Sequence, residues 1–507
     1  MKDAANMCFN PNNSLEIITS QSWPNRCRPG SIATRVQSPP EPLPSPPCHG
    51  QSQHIFRGLS RGSSLPHHEI LHRCQFIIQT QYRRSISMNF KHEFSVGPQT
   101  LVAMIMASLV LLSCGGGTTT PNPSLSRKVP GTLISPPAAT GNVVPIVIDA
   151  GPVPTTASEI NVAYVSVTVC TSGTLGTATC QTIDHVLVDT GSSGLRLLNS
   201  ALYSNLNLPA VTNSSGAIGE CMTFADGFTW GSVRTADIYL GGEVAPSVPI
   251  HVIGDQPGGT TAVPGDCSST GGINENTPAL LGANGILGVG LFANDCDACL
   301  FSAVPTAYYI CTATGCTKTR VTSAQVVQNP VALFQQDNNG VLIDLLAVSS
   351  VGATTSLTGS LIFGIGTQSN NALGTATVYA TDSYGNFRTT LNTVSLPNSF
   401  IDSGSNALFF YDSSIPMCSV TTWAYCPPSP LFLNATNTAA SGGNTGPVSF
   451  SIVNIDALAG NVIAANIGGP STRGQFDWGL PFFFGRPVFT AISGMSTPGG
   501  SGPYFAY

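Results

Sequence analysis

The chain has 507 residues; only 9% are charged, whereas Gly (53) and Pro (38) are abundant. This length is sufficient for two or three domains, and the composition disfavours helical bundles and favours short strands joined by many turns. The net charge of −6 combines +5 over residues 1–114 with −11 over residues 115–507, and because the longer part has few Lys and Arg side chains we expect no nucleic-acid partner.

The N-terminal region carries features of export rather than of a folded domain. Residues 1–87 are rich in Pro, Arg and Ser and lack sustained periodicity, so we expect them to be disordered or to result from a start codon assigned too early. The second alternative is suggested by Met88, which begins a short basic stretch followed by the apolar run Leu101–Leu112. Residues 88–114 therefore predict a signal peptide, because the run is short for a membrane span.

The signal segment ends in Leu111-Leu112-Ser113-Cys114, which resembles a bacterial lipobox whose cysteine is lipidated after cleavage. We expect Cys114 to attach the protein to a membrane through a lipid anchor; an ordinary cleaved signal sequence or a single membrane anchor is the alternative. Gly115 resembles the pattern of outer-membrane retention. Residues 115–140, with their Gly, Thr and Pro, would form a tether. The predicted location is the bacterial cell envelope, with the protein facing the periplasm or the surface.

Ten cysteines follow the lipobox, an even number that indicates up to five disulfide bonds in an exported chain. They are Cys170, Cys180, Cys221, Cys267, Cys296, Cys299, Cys311, Cys316, Cys418 and Cys426. The pairs 170/180 and 418/426 are close enough in sequence to join local hairpins, and 221/267 follows by elimination. The other four resemble a zinc site, but disulfides are favoured because the compartment is oxidising and no histidine is near in sequence. We expect neither a metal nor a cofactor.

From about residue 142 onwards, short strand patterns bounded by turn residues follow one another closely. These are Val143–Ile148, Val162–Val169, Ile183–Val188, Ile238–Leu240, Val248–Ile253, Leu361–Phe363, Thr377–Ala380, Val448–Ile452 and Val488–Ile492. The helix candidate is Pro330–Gln336. Strands and helices do not alternate, so the pattern predicts an all-β, mainly antiparallel fold rather than a parallel α/β sheet.

Two segments share one pattern: an apolar run, an Asp, a small hydroxyl residue, Gly, Ser and an apolar continuation. The first contains Asp189-Thr190-Gly191-Ser192, the first Asp motif, and the second contains Asp402-Ser403-Gly404-Ser405, the second Asp motif. Such a sequence predicts a carboxylate on a tight turn whose Gly allows another backbone to approach. For either motif alone, an unrelated strand-end turn with a solvated Asp is the alternative. Two matched copies suggest that the turns face each other.

Facing turns would hold Asp189 and Asp402 around one water molecule. Because like charges about 3 Å apart cannot both ionise at low cost, the two carboxyl groups would share a proton. The ionised carboxylate would deprotonate the water, and the protonated one would polarise a carbonyl and later protonate the leaving amine. The motifs therefore predict amide hydrolysis without a metal or a covalent intermediate.

The flanking residues of the two motifs fit supporting roles. We expect Thr190 and Ser403 to form hydrogen bonds across the turns, and Ser192 and Ser405 to donate to the outer carboxylate oxygens. Other chemistries are disfavoured, since after the lipobox the chain has only two histidines, His185 and His251, and no Gly-x-Ser-x-Gly motif. Glycoside hydrolysis also uses a carboxyl pair, but it does not require matched turns.

The order of motifs from about residue 142 to the C terminus resembles that of bilobal, pepsin-like aspartic peptidases, in a branch of bacterial envelope lipoproteins. Besides the two Asp motifs, the similar segments are Phe224–Gly227 with Asp237–Gly242, Asn284–Gly290, Gly359–Gly366, Trp478–Arg486, and Val488–Ser493 with Pro503–Tyr507. In that family they are the flap hairpin, a segment packed beneath the first catalytic turn, the opening and closing elements of the second lobe, and the last hairpin of the interlobe sheet.

This resemblance implies two β-barrel-like lobes with the active site in the cleft between them. Residues 141–350 would form the N-terminal lobe, with a Cys-rich insertion at about 255–325, and residues 351–507 the C-terminal lobe. It further implies an aspartic endopeptidase acting on a peptide or protein substrate, with Asp189 and Asp402 as catalytic residues. We expect a monomer.

The chain departs from the family pattern around the flap. Phe224 stands where the family usually has a Tyr, with Asp226, Gly227 and Trp230 nearby, and Arg196 stands where an aromatic residue is typical. The insertion is long enough to cover the cleft. These departures leave a second hypothesis open, a binding or assembly protein of the envelope that keeps the fold without turnover. A glycan-binding β-sandwich is a third hypothesis, although four Trp are few for it.

Overall fold

Strands make up most of the regular structure, as the abundance of β-branched and turn-forming residues predicts. The computed structural model describes residues 128–138, 141–152, 159–173, 177 and 179–507. The strands of the first half are β1 (Val143–Ile148), β2 (Ala163–Thr171), β3 (Cys180–Asp189), β4 (Ser193–Leu198), β5 (Thr212–Asn213), β6 (Gly216–Thr223), β7 (Gly227–Leu240), β8 (Glu243–Ile253), β9 (Ile273–Asn274), β10 (Gly285–Val289), β11 (Tyr308–Thr312) and β12 (Gly315–Lys318).

The strands of the second half are β13 (Gly340–Leu345), β14 (Leu357–Phe363), β15 (Val378–Ala380), β16 (Phe387–Leu391), β17 (Val394–Ile401), β18 (Leu408–Phe410), β19 (Leu431–Thr438), β20 (Thr445–Ile452), β21 (Gly468–Gly469), β22 (Gln475–Trp478), β23 (Val488–Ala491), β24 (Ser496–Thr497), β25 (Gly500–Ser501) and β26 (Tyr504–Ala506). The helices are single turns: α1 (Gly265–Ser268), α2 (Pro278–Leu281) and the 3₁₀ helices Asn199–Ala201, Pro257–Gly259, Asp297–Leu300, Pro330–Leu333, Ile455–Leu458 and Leu480–Phe482. The all-β prediction is confirmed.

The helix predicted at Pro330–Gln336 is shorter than expected. It is a 3₁₀ turn over Pro330–Leu333, begun by Asn329, whose side chain accepts a hydrogen bond from the backbone N–H of Val331. Phe334 already has extended backbone angles, so the helix ends there. An N-cap Asn and a Pro at the first helical position define the start of a helix and do not determine its length.

The first half is organised around β3, which ends at Asp189. β3 runs antiparallel to β2 and parallel to β10, and β10 runs antiparallel to β4, which is in turn parallel to β8. The inward residues of these strands, among them Val186, Val188 and Leu195, are fully buried. The first Asp motif therefore begins where a buried strand ends and is held by apolar packing on both sides.

The second half repeats this arrangement around β17, which ends one residue before Asp402. β17 is parallel to β22, β22 is antiparallel to β18, and β18 is parallel to β21, all within a seven-stranded sheet. The order and direction of pairing match those of β3, β10, β4 and β8. The two Asp motifs consequently occupy equivalent points of two lobes, as the resemblance implied.

A six-stranded portion of the larger sheet joins the lobes. Its strands pair in the order β1, β14, β13, β23, β26 and β15, all antiparallel. The predicted last hairpin is confirmed, since β23 pairs with β26. All described residues belong to one compact unit, so the boundary proposed near residue 350 remains a prediction.

The Cys-rich insertion packs against the hairpin predicted as the flap. β6 and β7 form this hairpin; β11 of the insertion adds to β6, and β9 adds to β7. All ten cysteines form disulfide bonds, in the pairs 170/180, 221/267, 296/299, 311/316 and 418/426. The disulfide prediction is confirmed, and the zinc alternative is wrong because each of these sulfurs is bonded to another sulfur.

The predicted extension 1–87, the signal segment 88–114 with Cys114, and residues 115–127 lie outside the described residues. The last part of the predicted tether is not free of the lobe. Residues 128–138 lie along the N-terminal lobe, where Ile134 forms two backbone hydrogen bonds with Cys180 and Gly131 forms two with the side chain of Asn205. The backbone of this part pairs with an exposed edge of the sheet, and the tether over residues 115–140 as a whole stays a prediction.

Within the described residues, helices are too short for any of them to cross a lipid bilayer.

Candidate active site

The first Asp motif holds its carboxylate by local hydrogen bonds. Asp189 is 6% exposed, and its Oδ1 accepts a hydrogen bond from the backbone N–H of Gly191 at 2.7 Å. Its Oδ2 accepts a short hydrogen bond from the hydroxyl of Ser192. The predicted role of Ser192 as a donor is confirmed.

The second Asp motif has the same local geometry. Asp402 is half-buried; its Oδ1 accepts from the backbone N–H of Gly404 at 2.8 Å, and its Oδ2 lies 3.0 Å from the hydroxyl of Ser405. The equivalence follows from the sequence, since an Asp followed two residues later by Gly and three later by Ser places one backbone and one side-chain donor on the two carboxyl oxygens.

Reciprocal hydrogen bonds join the two motifs. The backbone N–H of Thr190 donates to Oγ of Ser403 at 3.1 Å, and the backbone N–H of Ser403 donates to Oγ1 of Thr190 at 2.9 Å. Each hydroxyl then donates across the interface, Thr190 to the carbonyl of Ile401 (3.2 Å) and Ser403 to that of Val188 (2.7 Å). Both side chains are buried, so these four bonds fix the distance between the motifs and confirm the predicted pairing.

The two glycines allow the carboxyl groups to meet. A Cβ on Gly191 would lie 2.6 Å from the carboxyl carbon of Asp402, and a Cβ on Gly404 would lie 2.6 Å from Oδ1 of Asp189. Any larger residue would push the carboxyl groups apart. Glycine is thus required here for close approach rather than for an unusual backbone angle.

Close approach changes the proton affinity of the pair. Burial raises the pKa of Asp402 well above its usual value, and the negative charges of Asp189 and Asp477 and a hydrogen bond with Asp189 raise it further, against the opposing effect of the Gly404 N–H. Ionisation of Asp402 beside the charges of Asp189 and Asp477 is therefore disfavoured.

A third carboxyl group, Asp477, lies at the second motif and escaped the sequence analysis. It belongs to β22, is 7% exposed, and its Oδ2 lies 2.7 Å from the hydroxyl of Ser405. In the first lobe the residue at the same register position is Ile286, since Ile286 pairs with Leu187 as Asp477 pairs with Phe400. Asp477 directly precedes a recognised segment and breaks its apolar pattern, which is the signal that could have identified it.

Beneath the first motif lies a buried polar cluster. Arg196 of β4 is fully buried; its Nη2 contacts Glu220 Oε1 at 2.8 Å and Asp295 Oδ2 at 3.0 Å, and its Nη1 donates to the carbonyl of Ser193 at 2.8 Å. Tyr308 donates to Asp295 at 2.7 Å. Arg196 thus forms an ion-pair network that holds the strand following the first motif.

His251 of β8 completes this cluster, with Nδ1 lying 3.2 Å from Oε2 of Glu220. Burial lowers the pKa of His251 to about 4, so the imidazole is neutral near pH 7. Burial also raises the pKa of Asp295 well above its usual value, and the charge of Glu220 adds to this effect. For Glu220 the burial penalty is outweighed by the charge of Arg196, and its pKa is lowered. The network is therefore close to neutral, with Arg196 and Glu220 as its charged pair.

The flap residues are held by the insertion. The hairpin turns at Phe224–Gly227, where the backbone N–H of Phe224 donates to the carbonyl of Gly227 at 2.8 Å. Trp230 is 4% exposed and packs edge-to-face on Tyr309 of β11, with ring centroids 5.3 Å apart. Near the turn, burial and the neighbouring carboxylate of Asp226 raise the pKa of Glu275 to about 8. The structure therefore places Trp230 in contact with the insertion.

A pocket opens beside the two motifs and is lined from both lobes. Gly191, Ser192 and Phe292 contribute from the first lobe, and Tyr384 and Phe400 from the second. Its lining combines the aromatic rings of Phe292, Tyr384 and Phe400 with the polar groups of the first motif.

Comparisons with known proteins were made for the whole chain. No curated protein matches its sequence. Among solved structures, an aspartic proteinase from Irpex lacteus is similar, at 16% identity and a TM-score of 0.38, over 72% of this chain and 96% of that one. A family model described as "Protein of unknown function (DUF3443)" matches residues 138–507, which include both Asp motifs. The chain belongs to that family.

Proposed function

We propose that this protein is an aspartic-type endopeptidase that hydrolyses peptide bonds at Asp189 and Asp402. The observation that carries the proposal is the pair of reciprocal hydrogen bonds between Thr190 and Ser403, which brings two carboxyl groups into contact. Two like charges in one buried place are costly unless a proton is shared, and a shared proton is what acid–base hydrolysis needs.

The two carboxyl groups take different roles in this reaction. Asp189, whose oxygens accept hydrogen bonds from Gly191 and Ser192, acts as the base. It removes a proton from a water molecule while the oxygen of that water bonds to the peptide carbonyl carbon, and Asp402 gives its proton to the carbonyl oxygen. The resulting diol then collapses. Its C–N bond breaks, the amine takes the proton held by Asp189, and Asp402 recovers a proton from a diol hydroxyl, so the pair ends as it began.

The proposed substrate is an extended peptide or an unfolded protein in the cell envelope. The aromatic rings of Phe292 and Phe400, which line the small pocket beside the carboxyl pair, would contact apolar side chains next to the scissile bond. The five disulfide bonds fit an oxidising, exported location, and lipidation of Cys114 would attach the protein to the membrane. We therefore propose that the protein acts in the cell envelope.

The test uses purified full-length protein and an unfolded protein substrate between about pH 3 and 7, the range in which carboxyl pairs work. We expect cleavage by the wild type and its loss in Asp402→Asn, because the amide can neither carry the shared proton nor ionise. The control is Asp237→Asn, a buried Asp that accepts from the Ser247 backbone N–H outside the site and should retain activity. Cleavage that survives Asp402→Asn would contradict the proposal, as would a wild type that cleaves nothing.

A second candidate, a binding or assembly protein, is favoured by the fixed flap. β6 is linked to the insertion by the 221/267 disulfide and by pairing with β11, which limits the movement of the hairpin. Fluorescence anisotropy with labelled peptides distinguishes the two functions. A binding protein would hold the peptide intact at every pH, and the Asp402→Asn variant would bind it in the same way. The endopeptidase would release fragments of the peptide.

A further inference from the structure

The hydroxyl of Ser405 lies between two carboxyl groups, at 3.0 Å from Oδ2 of Asp402 and 2.7 Å from Oδ2 of Asp477. A hydroxyl group has one proton to donate. If both carboxyl groups were ionised, one of the two contacts would bring two acceptors together without a hydrogen. The arrangement therefore requires a proton on either Asp402 or Asp477.

In the first Asp motif, by contrast, two carboxyl groups do not compete for the proton of the serine hydroxyl. Ser192 donates to Asp189, and the residue of β10 that occupies the register position of Asp477 is the apolar Ile286. The hydrogen bonds that Thr190, Gly191 and Ser192 donate from the first motif are repeated in the second by Ser403, Gly404 and Ser405. The difference at this one position makes the two carboxyl groups of the pair unequal.

We infer that Asp477 is a positioning residue that keeps the shared proton of the pair on Asp402, acting through Ser405. This inference rests on the proposed function and assigns the acid and the base within it. With Asp477 ionised, Ser405 donates to Asp477 and its oxygen accepts the proton carried by Oδ2 of Asp402. Asp189, held by two donors of its own, is then left as the ionised base.

The surroundings of Asp477 support this distribution of charge. The strands that pair with β22 are β17 and β18, and their side chains are apolar or uncharged. Asp477 lies beside Phe400 on one strand and Phe409 on the other. Asp402 is a titratable group that interacts with the charge of Asp477, and Asp189 lies beyond Asp402. Arg473, in the turn before β22, donates instead to the hydroxyl of Tyr411.

The charge of Asp477 acts on Asp402 in the expected direction. It contributes to the raised pKa of Asp402, after burial and the charge of Asp189. A carboxyl group with a raised pKa stays protonated to higher pH, so the acid of the reaction remains available there. Removing the charge would lower that pKa, and the high-pH side of the activity profile would move to lower pH.

The test compares Asp477→Asn and Asp477→Ile with the wild type, using full-length protein. Asparagine keeps the size without the charge, and isoleucine copies the first lobe. Peptide cleavage is measured against pH, and the Asp402 carboxyl is titrated by NMR in protein labelled with carboxyl-¹³C aspartate, its signal being the one lost in Asp402→Asn. We expect both the high-pH limb and the NMR midpoint to move down by about one pH unit, the effect of one nearby charge. Asp237→Asn, with the same label, should leave both in place.

The two readouts separate this inference from the proposed function. Unchanged Asp402 midpoints in both Asp477 variants would overturn the inference whether or not the protein cleaves peptides. A uniform loss of activity at every pH, without a shift of either readout, would show a merely structural role and would also overturn it. A lowered midpoint in a protein that cleaves nothing would support the role of Asp477 and contradict the endopeptidase.

Discussion

The two lobes place an Asp motif on the same strand arrangement but support it with opposite chemistry. Opposite Ile286 on β10 the first lobe has Arg196, and opposite Asp477 on β22 the second lobe has Phe409. The polar residue of this cross-strand pair thus lies on β4 in the first lobe and on β22 in the second. Because the strand pairing is the same in both lobes, it is the backbone pairing that positions the two motifs. The side chains beneath each motif differ, and they determine how the stability of each lobe responds to mutation and pH.

In the first lobe the support is an ion-pair network. Arg196 and Glu220 form its charged pair, and Asp295, Tyr308 and His251 complete it. Buried charges are stable only while each has its partner, so such a network depends on every member. The strand after the first motif is therefore sensitive to the loss of one side chain and to protonation.

In the second lobe the support is aromatic. Trp478 stacks on Phe476 with centroids 3.9 Å apart, and Phe476 stacks on Phe410 at 5.1 Å. The indole N–H donates to Thr389 at 3.0 Å, so the buried polar atom of Trp478 is satisfied. These groups do not titrate in the acid range, and this support should be indifferent to pH.

The largest effect is expected from Arg196→Leu. The substitution leaves the buried carboxylate of Glu220 without its cation, which should lower the free energy of unfolding by about 3–5 kcal/mol. Urea denaturation at neutral pH measures this. Arg388→Leu is the control, since Arg388 is exposed and bonds only to the Ser395 hydroxyl among the contacts described, and it should change stability little. Equal stability of the two variants would contradict the view that the first lobe depends on its ion pair.

A pH effect of about 3 kcal/mol is expected from His251. Its folded pKa is lowered to about 4 from an ordinary 6.5, so below pH 6.5 the unfolded chain binds a proton that the folded one does not. Stability should therefore fall between pH 6.5 and 4, and His251→Leu should flatten this fall. Trp478→Phe, in the aromatic lobe, should lower stability equally at all pH values. If His251→Leu kept the wild-type slope, the comparison of the lobes would fail.

A smaller effect, about a hundredfold loss of kcat/KM, is expected from Gly404→Ala. The added methyl group would lie 2.6 Å from Oδ1 of Asp189 and would displace a carboxyl group from its partner. Peptide cleavage at acid pH measures this. Gly265→Ala is the control, because a Cβ there meets nothing within 4 Å and the backbone angle is ordinary. Full activity of Gly404→Ala would mean that contact between the carboxyl groups is not needed.

Contacts between residues that are close in sequence could be predicted from the sequence. Within each Asp motif the donors lie two and three residues from the Asp, so the roles of Ser192 and Ser405 could be predicted without knowing the fold. The cross-bonds between Thr190 and Ser403 followed from the repetition of the motif, since two equal turns that face each other must pair equally. The disulfides could be predicted because most of the partners are close in sequence.

The remaining features depend on register between distant strands. Asp477 meets Ser405 only because β22 pairs in parallel with β17, and Glu220 meets Arg196 only because β6 and β4 face each other across the lobe. Neither contact has a periodic or short-range signature. Pairing of Ile134 with Cys180 was missed for the same reason, because a Gly- and Pro-rich segment does not show from its composition that a strand edge lies beside it.

The central claim is that two lobes supply the halves of one proton-sharing site. Steady-state cleavage of a peptide by the wild type, Asp189→Asn, Asp402→Asn and the double variant tests it most directly. Because the two carboxyl groups act as a unit, each single variant should lose about a thousandfold or more in kcat/KM, and the double variant should lose no more than either. Losses that multiply in the double variant, or a single variant with wild-type activity, would contradict the claim.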